Sequence, residues 1–346
     1  MRVIGFMSSL KVKDFRKSRD RGKRSYARGC ARTLNRHIAI DPEAESSDKR
    51  RMLRVLLATL FALTSIVCSH AEEQVPAKIV RAVFWNIAWF PGGSPEATSR
   101  EVVSQITKVM PALEKLRPDI LGVSEVLNEP AMEIALLKTP GVATQVCSAF
   151  ADDQGFVTSQ QVGIASRIPA TNAWWESWKT SRVTPTRGFA FAAIEPAPGV
   201  VFLVYSLHFK SNRGDQVENF AMREESTRQL LNHVAAMEKV YARVGHVAVI
   251  LGGDFNTSLD DPRFDKERTL RDLKKAGFTW CWEGVPFENR VTLPTKPSNN
   301  PKFPPFPDTC FDHVFVKNVK IQSAKVETMP GDPSDHRPVV VELIVP

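Results

Sequence analysis

Apolar positions along this chain fall into two periods, and the two alternate. Short continuous runs rich in β-branched and aromatic residues predict buried strands at Ile79–Trp85, Asp119–Glu125, Val162–Ala165, Phe189–Ile194, Val200–Leu207, Val247–Ile250, Phe311–Val316 and Val339–Val345. Between them, apolar residues at Val102, Val103, Ile106, Val109, Met110, Leu113 and Leu116 keep the 3.6-residue period, predicting a helix from Arg100 to Leu116 with Ser99 as N-cap and a kink at Pro111. Glu218–Val244 predicts a long helix whose core contacts are Phe220, Leu230, Leu231, Val234, Met237 and Val240, and Pro130–Lys138 and Arg268–Ala276 predict short ones. The sequence Pro198-Gly199 reads as the turn between two strands, and Pro286–Pro307 as an irregular Pro-rich loop. Trp174, Trp175 and Trp178 form a cluster that reads as core in preference to the rim of a groove. There is no Walker-type loop and no internal repeat.

The polar residues that interrupt this pattern fall at the ends of strands. Asn86, Glu125 and His208 each close an apolar run, Asp312 opens one on the face opposite His313, and Asp335-His336 precedes the last. The most concentrated case is Leu251-Gly-Gly-Asp-Phe-Asn256, where two glycines leave room for a ligand near the main chain while Asp254 and Asn256 offer a carboxylate and a carboxamide two residues apart. The same six residues also read as a strand running into an Asx turn. Around His208, Lys210 and Asn212, and further off Arg187, are candidate donors to a phosphate, with a solvated surface role as the alternative.

Composition changes the picture at the N-terminus. Residues 1–51 carry fifteen Lys and Arg against six Asp and Glu, and read as a disordered basic extension before a start at Met52. Residues 52–71 have the layout of a secretory signal peptide: a basic flank, an apolar run from Val55 to Val67, and small residues ending at Ala71. The overall charge of +8 belongs to this leader. Without residues 1–71, which hold sixteen basic and six acidic residues, 46 − 16 = 30 basic side chains face 38 − 6 = 32 acidic ones, a net of −2. Near-neutrality removes any global electrostatic argument for nucleic acid. The expectation is one domain over 72–346, secreted or periplasmic, monomeric, without an obligate protein partner or a transmembrane anchor. In that setting a disulfide is permitted, and Cys281–Cys310, flanking the Pro-rich loop, is the expected pair, with Cys147 a buried hydrophobe.

Carboxylates and carboxamides without cysteine are hard oxygen ligands suited to Mg²⁺ or Mn²⁺. The ordered set Trp85-Asn86, Ser124-Glu125, His208 with Lys210-Ser211, Gly253-Asp254-Phe255-Asn256, Phe311-Asp312-His313 and Ser334-Asp335-His336-Arg337-Pro338 resembles the endonuclease/exonuclease/phosphatase superfamily, which includes the pancreatic-type deoxyribonucleases. Ser124 departs from the pattern, since many members carry Gln there. The resemblance implies an α/β fold, a four-layered sandwich with two packed, mostly antiparallel central sheets. It implies a metal held by Glu125 with Asn86 and Asp335 nearby, and catalytic roles for His208, Asp254, Asn256, Asp312 and His336. Asp254 would orient or deprotonate the attacking water, Asn256 would help hold it and the phosphate, and His208 would contact the phosphate or assist the leaving oxygen. His336, steadied by Asp312, would bind the scissile phosphate; the general base stays open between Asp254 and His336.

The implied activity is metal-dependent hydrolysis of phosphodiester or phosphomonoester bonds, with DNA or RNA as the leading substrate class and sphingomyelin or inositol phosphates as alternatives. A calcineurin-like binuclear phosphoesterase would need more metal-binding histidines than His208, His233, His246, His313 and His336 supply. A catalytically silent binding module would show erosion at the motif positions, and none is eroded.

Overall fold

A computed structural model describes residues 77–295 and 306–346. The basic extension, the signal-peptide pattern and residues 296–305 of the Pro-rich loop lie outside the described residues. Two six-stranded sheets pack face to face. The first contains β1 (Ile79–Phe90), β2 (Ile120–Val126), β3 (Thr144–Cys147), β4 (Gln161–Ser166), β11 (Lys320–Val326) and β12 (Val339–Ile344), in the order β11-β12-β1-β2-β4-β3. The second contains β5 (Ala170–Ser177), β6 (Gly188–Ala197), β7 (Val200–His208), β8 (His246–Asp254), β9 (Thr279–Trp280) and β10 (Asp312–Lys317), in the order β5-β6-β7-β8-β10-β9. Helices α1 (Ser99–Leu116), α2 (Glu129–Leu136), α3 (Gln216–Tyr241) and α4 (Thr269–Lys275) complete the α/β sandwich. Among the described residues no helix is long and apolar enough to cross a membrane.

Each sheet has one parallel pair at its centre, β1 with β2 and β7 with β8, and all its other pairs are antiparallel. A parallel pair needs a long crossover. α1 supplies it in the first sheet and α3 in the second, so the C-terminal ends of β1 and β2 lie together, as do those of β7 and β8. The two sheets are thus two versions of one arrangement.

Strand alternation decides what enters the space between them. Val80, Ala82 and Phe84 of β1 point into the inter-sheet core, while Val83, Trp85 and Ile87 join the core under α1 and α2. The ring of Phe84 is the last apolar filling: a Cβ on Gly252 would sit 2.4 Å from it, and one on Gly122 at 2.3 Å. Gly252 is therefore required by sheet-to-sheet packing and not, as the sequence suggested, by a ligand. Gly253 has φ +136°, and a Cβ there would lie 2.0 Å from the Leu207 carbonyl oxygen, so this glycine too answers the fold.

Other expectations change in detail. Thr98, not Ser99, caps α1, in a reciprocal box with Glu101. Trp178 is buried, but Trp174 and Trp175 leave an edge strand on opposite faces, Trp174 against Phe191 and Trp175 edge-on to Phe150 with 37 % exposure. In α3, Val240 is exposed, and the stripe through Leu230 and Val234 continues toward the N-terminus as buried Thr227, Ser226, Arg223 and Asn219. Cys281 and Cys310 are free, as is Cys147, and all three are buried. Cys281 Sγ accepts the Val314 amide hydrogen at 3.3 Å, and burial pushes both loop thiols up, so they serve as packed apolar groups and not as the expected disulfide.

Candidate active site

Just beyond Phe84 the inter-sheet face turns polar. Asn86 has the parity of Phe84, Asp254 that of Gly252, and His208 that of Ser206, whose hydroxyl donates across the sheets to the Val123 carbonyl at 3.1 Å. In the second sheet His208, Asp254 and Asp312 lie side by side on neighbouring strands, in direct register. The site is the open end of the sandwich.

Glu125 reaches it by an irregularity. The β2–β4 register shifts between Ser124 and Val126, and Glu125 takes φ +60°, so a bulge turns its carboxylate inward. Asn86 Nδ2 donates to Glu125 Oε1 at 3.0 Å and to Asp254 Oδ2 at 3.1 Å, and the Trp89 amide donates to Glu125 Oε2 at 3.1 Å. Asn86 Oδ1 accepts the Ala88 amide at 3.0 Å, so this carboxamide spaces the two acids apart. His208 Nε2 stands 3.6 Å from Glu125 Oε1 and 3.7 Å from Asp254 Oδ2. Burial, reinforced by the charges of Arg187 and His336, holds His208 well below the ordinary imidazole range. It is neutral.

On the other side of Asp254, His336 Nε2 lies at 3.8 Å from Oδ2, and its Nδ1 meets Asp312 Oδ2 at 2.7 Å. Burial opposes the charge on His336, but Asp312, Asp254 and Asp335 together raise it to about 10. Asp254 is raised to about 7, because burial and the Asp312 charge outweigh His336 and the hydrogen bonds from Asn256 and Asn86. The loop carrying His336 is pinned by Trp85 Nε1 on the His336 carbonyl, Ser334 Oγ on the Asn86 carbonyl, and Gln105 Nε2 shared among the carbonyls of Ile87, Ala88 and Pro333.

Asn256 is in the left-handed region at φ +53°, and its amide donates to Asp254 Oδ1 at 2.8 Å. The Asx turn and the site residue are one structure. Its Nδ2 donates to the Phe209 carbonyl at 3.2 Å. Arg187 Nη1 donates to that same carbonyl at 3.1 Å and is near enough to Glu125 and Asp254 for their charges to act on it.

All three candidate phosphate donors are engaged within the protein, Arg187 also through Nη2 on Gln160 Oε1. Lys210 Nζ donates to the carbonyls of Ser211 and Arg213, and Asn212 Nδ2 to the carbonyl of Asn256 at 2.8 Å. Asp335 is half-buried and lies outside the ligand-spaced groups, although its charge is felt by His336.

Two sets of side chains have ligand atoms within 4.8 Å of one another: Glu125 with His208 and Asp254, and Asp254 with Asp312 and His336. Neither contains a thiolate, and two of the three groups in each are carboxylates, which suits a hard divalent cation. Burial first, and then the Asp312 charge, raise Asp254, and a cation beside it would oppose both effects. Gln105 and the buried pair Arg223–Glu267 were missed by sequence reasoning. For Gln105 and Arg223 the signal was a polar residue continuing an apolar helical stripe, as Arg223 does toward Leu230, whereas Glu267 lies in a loop and carried none.

One residue behind the site makes stability pH-dependent. His313 Nδ1 accepts from Trp280 Nε1 at 3.1 Å and its Nε2 meets the Thr257 carbonyl at 2.9 Å, which fixes the neutral Nε2–H form. Burial lowers it to about 4, against the Thr257 hydrogen bond and the Asp312 charge. The unfolded chain binds this proton first, so the contribution is whole above pH ~6.5 and is lost as pH falls toward 4, on the order of 3 kcal/mol in all. Urea unfolding between pH 7 and 4.5 is expected to show a steeper loss for wild type than for His313→Gln; parallel curves would exclude this assignment.

Comparison with known proteins agrees with the geometry. The model of the "Endonuclease/Exonuclease/phosphatase family" matches residues 83–336. No curated protein matches. Among solved structures, the endonuclease/exonuclease/phosphatase from Beutenbergia cavernae DSM 12333 superposes with a TM-score of 0.59 at 19 % identity, over 78 % of this chain and 72 % of that one. A family protein from Bacteroides thetaiotaomicron gives 0.54 at 18 % identity, over 78 % and 99 %. Truncated TDP2 from Caenorhabditis elegans gives 0.51 at 17 %, over 77 % and 98 %. At such identities these structures establish the fold.

Proposed function

Because the chain belongs to the endonuclease/exonuclease/phosphatase family, with the match spanning every strand end that enters the site, we propose that it hydrolyses phosphodiester bonds with an activated water, nucleic acid being the substrate class. The observation that carries this reading is the convergence of Glu125, His208, Asp254 and the Asp312–His336 pair at the open end of the sandwich. Mg²⁺ or Mn²⁺ would be held by Glu125, with Asn86 and Asp335 as the further candidates, and when bound it supplies positive charge against a phosphoryl oxygen. The other steps belong to the chain's own groups. His336, charged and fixed through Nδ1 by Asp312, keeps Nε2–H as a donor to the phosphate. A charged imidazole cannot accept a proton, so Asp254, held by the Asn256 amide and 3.8 Å from His336 Nε2, is the group that orients the water and takes its proton. Neutral His208 and the Asn256 carboxamide complete the phosphate surroundings, with Arg187 beside them.

Removal of residues 52–71 on export to the periplasm or beyond is part of the same proposal, supported by the basic-apolar-small pattern there. Purified protein is expected to cleave plasmid DNA, RNA or bis-p-nitrophenyl phosphate with Mg²⁺ or Mn²⁺ and to lose that activity fully in EDTA. Hydrolysis of sphingomyelin alone would replace nucleic acid as substrate. Inactivity on all of these with either metal would refute the phosphoesterase reading.

A further inference from the structure

The N-terminal half of α3 buries a charge where its stripe elsewhere buries Leu230 and Val234. Arg223 is fully buried, and its Nε and Nη2 donate to the two oxygens of Glu267 at 2.8 and 2.7 Å. Thr257 Oγ1 and Thr269 Oγ1 donate to the same carboxylate at 2.9 and 2.6 Å, so Glu267 receives four hydrogen bonds. Desolvating two such charges is costly, and apolar residues of like volume often serve stability as well. What an apolar pair would not provide is the direction of the remaining donors.

Those donors lead to the site by two routes. In the first, Arg223 Nη1 reaches the Lys210 carbonyl at 2.9 Å and Asn212 Oδ1 at 3.1 Å. Holding Oδ1 fixes which way the Asn212 carboxamide faces, and its Nδ2 then donates to the Asn256 carbonyl at 2.8 Å. In the second, Glu267 holds Thr257, the residue after Asn256. Both routes start from one ion pair and end on consecutive residues of the turn that carries Asp254 and Asn256. That turn holds Asn256 in the left-handed region at φ +53°, a conformation that asparagine keeps when its neighbours are fixed by hydrogen bonds.

We propose that the Arg223–Glu267 pair is a positioning device for Asn256, transmitted through Asn212 and Thr257, and that Asn212 belongs to this device instead of contacting the substrate. The inference rests on the phosphoesterase reading for its kinetic consequence, not for its structural one. Positioning errors of about 1 Å at a reacting centre cost on the order of 100-fold in rate. A lysine at 223 keeps the charge but has no fork with which to hold Glu267 and Asn212 together.

The test uses Asn212→Ala, which leaves the buried pair intact, with Arg223→Lys and the double variant. With bis-p-nitrophenyl phosphate and Mg²⁺, Asn212→Ala is expected to lower kcat about 10- to 100-fold with KM within about threefold of wild type. The double variant is expected to be no slower than Arg223→Lys alone, since both changes cut one route. Hydrogen exchange, read by mass spectrometry, is expected to quicken at least about tenfold in the segment 254–257 of Asn212→Ala and to stay unchanged in the C-terminal half of α3. A raised KM with unchanged kcat would place Asn212 on the substrate and overturn the proposal, as would wild-type exchange in 254–257. If wild type hydrolyses nothing, the phosphoesterase reading falls, while the exchange result still decides the clamp.

Discussion

Replacing His336 by alanine is expected to lower kcat by about three orders of magnitude, with thermal unfolding within a few degrees of wild type. The residue is 9 % exposed, and its ring is held by a side-chain partner, Asp312, at the edge of the site. What disappears is a fixed positive charge. The charge itself is tested by Asp312→Asn, which retains an acceptor for His336 Nδ1 but removes the nearest negative group. The sign follows from the linkage: Asp312 raises His336, so its neutralisation lowers the pH at which His336 loses its proton. If charged His336 is the active form, the alkaline limb of the kcat profile moves to lower pH in Asp312→Asn. If His336 were the base, its proton loss would set the acid limb, and it would be that limb that moved to lower pH while the alkaline limb stayed, returning Asp254 to a supporting role; near-normal turnover in His336→Ala would remove both from the mechanism.

Most of this site could be read from the sequence because its residues adjoin buried apolar runs, although β1 itself continues past Asn86 to Phe90. A buried strand is a run of apolar residues whatever its partners, so Asn86, Glu125, His208, Asp254 and Asp312 stood out as the first polar residues after or before such runs. Edge strands carry no such run. β5 and β11 alternate exposed and half-buried positions, and neither was foreseen. Nor does local pattern reveal what a glycine or a polar side chain faces across the sandwich. In sequence Gly252 reads as clearance for a ligand and is the seat of Phe84; Lys210 and Asn212 read as phosphate donors and are held by their own loop and by Arg223. The likeness of the two sheets is equally invisible in sequence, since it lies in strand order and crossover position. Glu125 was found at the right residue for an incomplete reason: β2 continues to Val126, and a left-handed bulge, not the strand's end, aims the carboxylate.

That bulge makes Glu125 the residue whose replacement separates metal binding from folding. Glu125→Gln is expected to reduce turnover at least about 1,000-fold and, more tellingly, to abolish the rise in unfolding temperature that Mg²⁺ or Mn²⁺ gives the wild type. In EDTA the balance differs. A glutamine oxygen can accept from Asn86 Nδ2 or from the Trp89 amide but not both, a loss of about 1 kcal/mol, while removing the half-buried Glu125 charge relieves neighbouring buried Asp254 of a like charge. The two effects offset, so the metal-free variant should unfold within about 1 kcal/mol of wild type. A wild type that gains stability with metal and a variant that matches it only in EDTA would be the signature of a cation held by this carboxylate. If the variant gains as much from metal as wild type does, Glu125 is not the ligand, and the second group, Asp254 with Asp312 and His336, becomes the place to look.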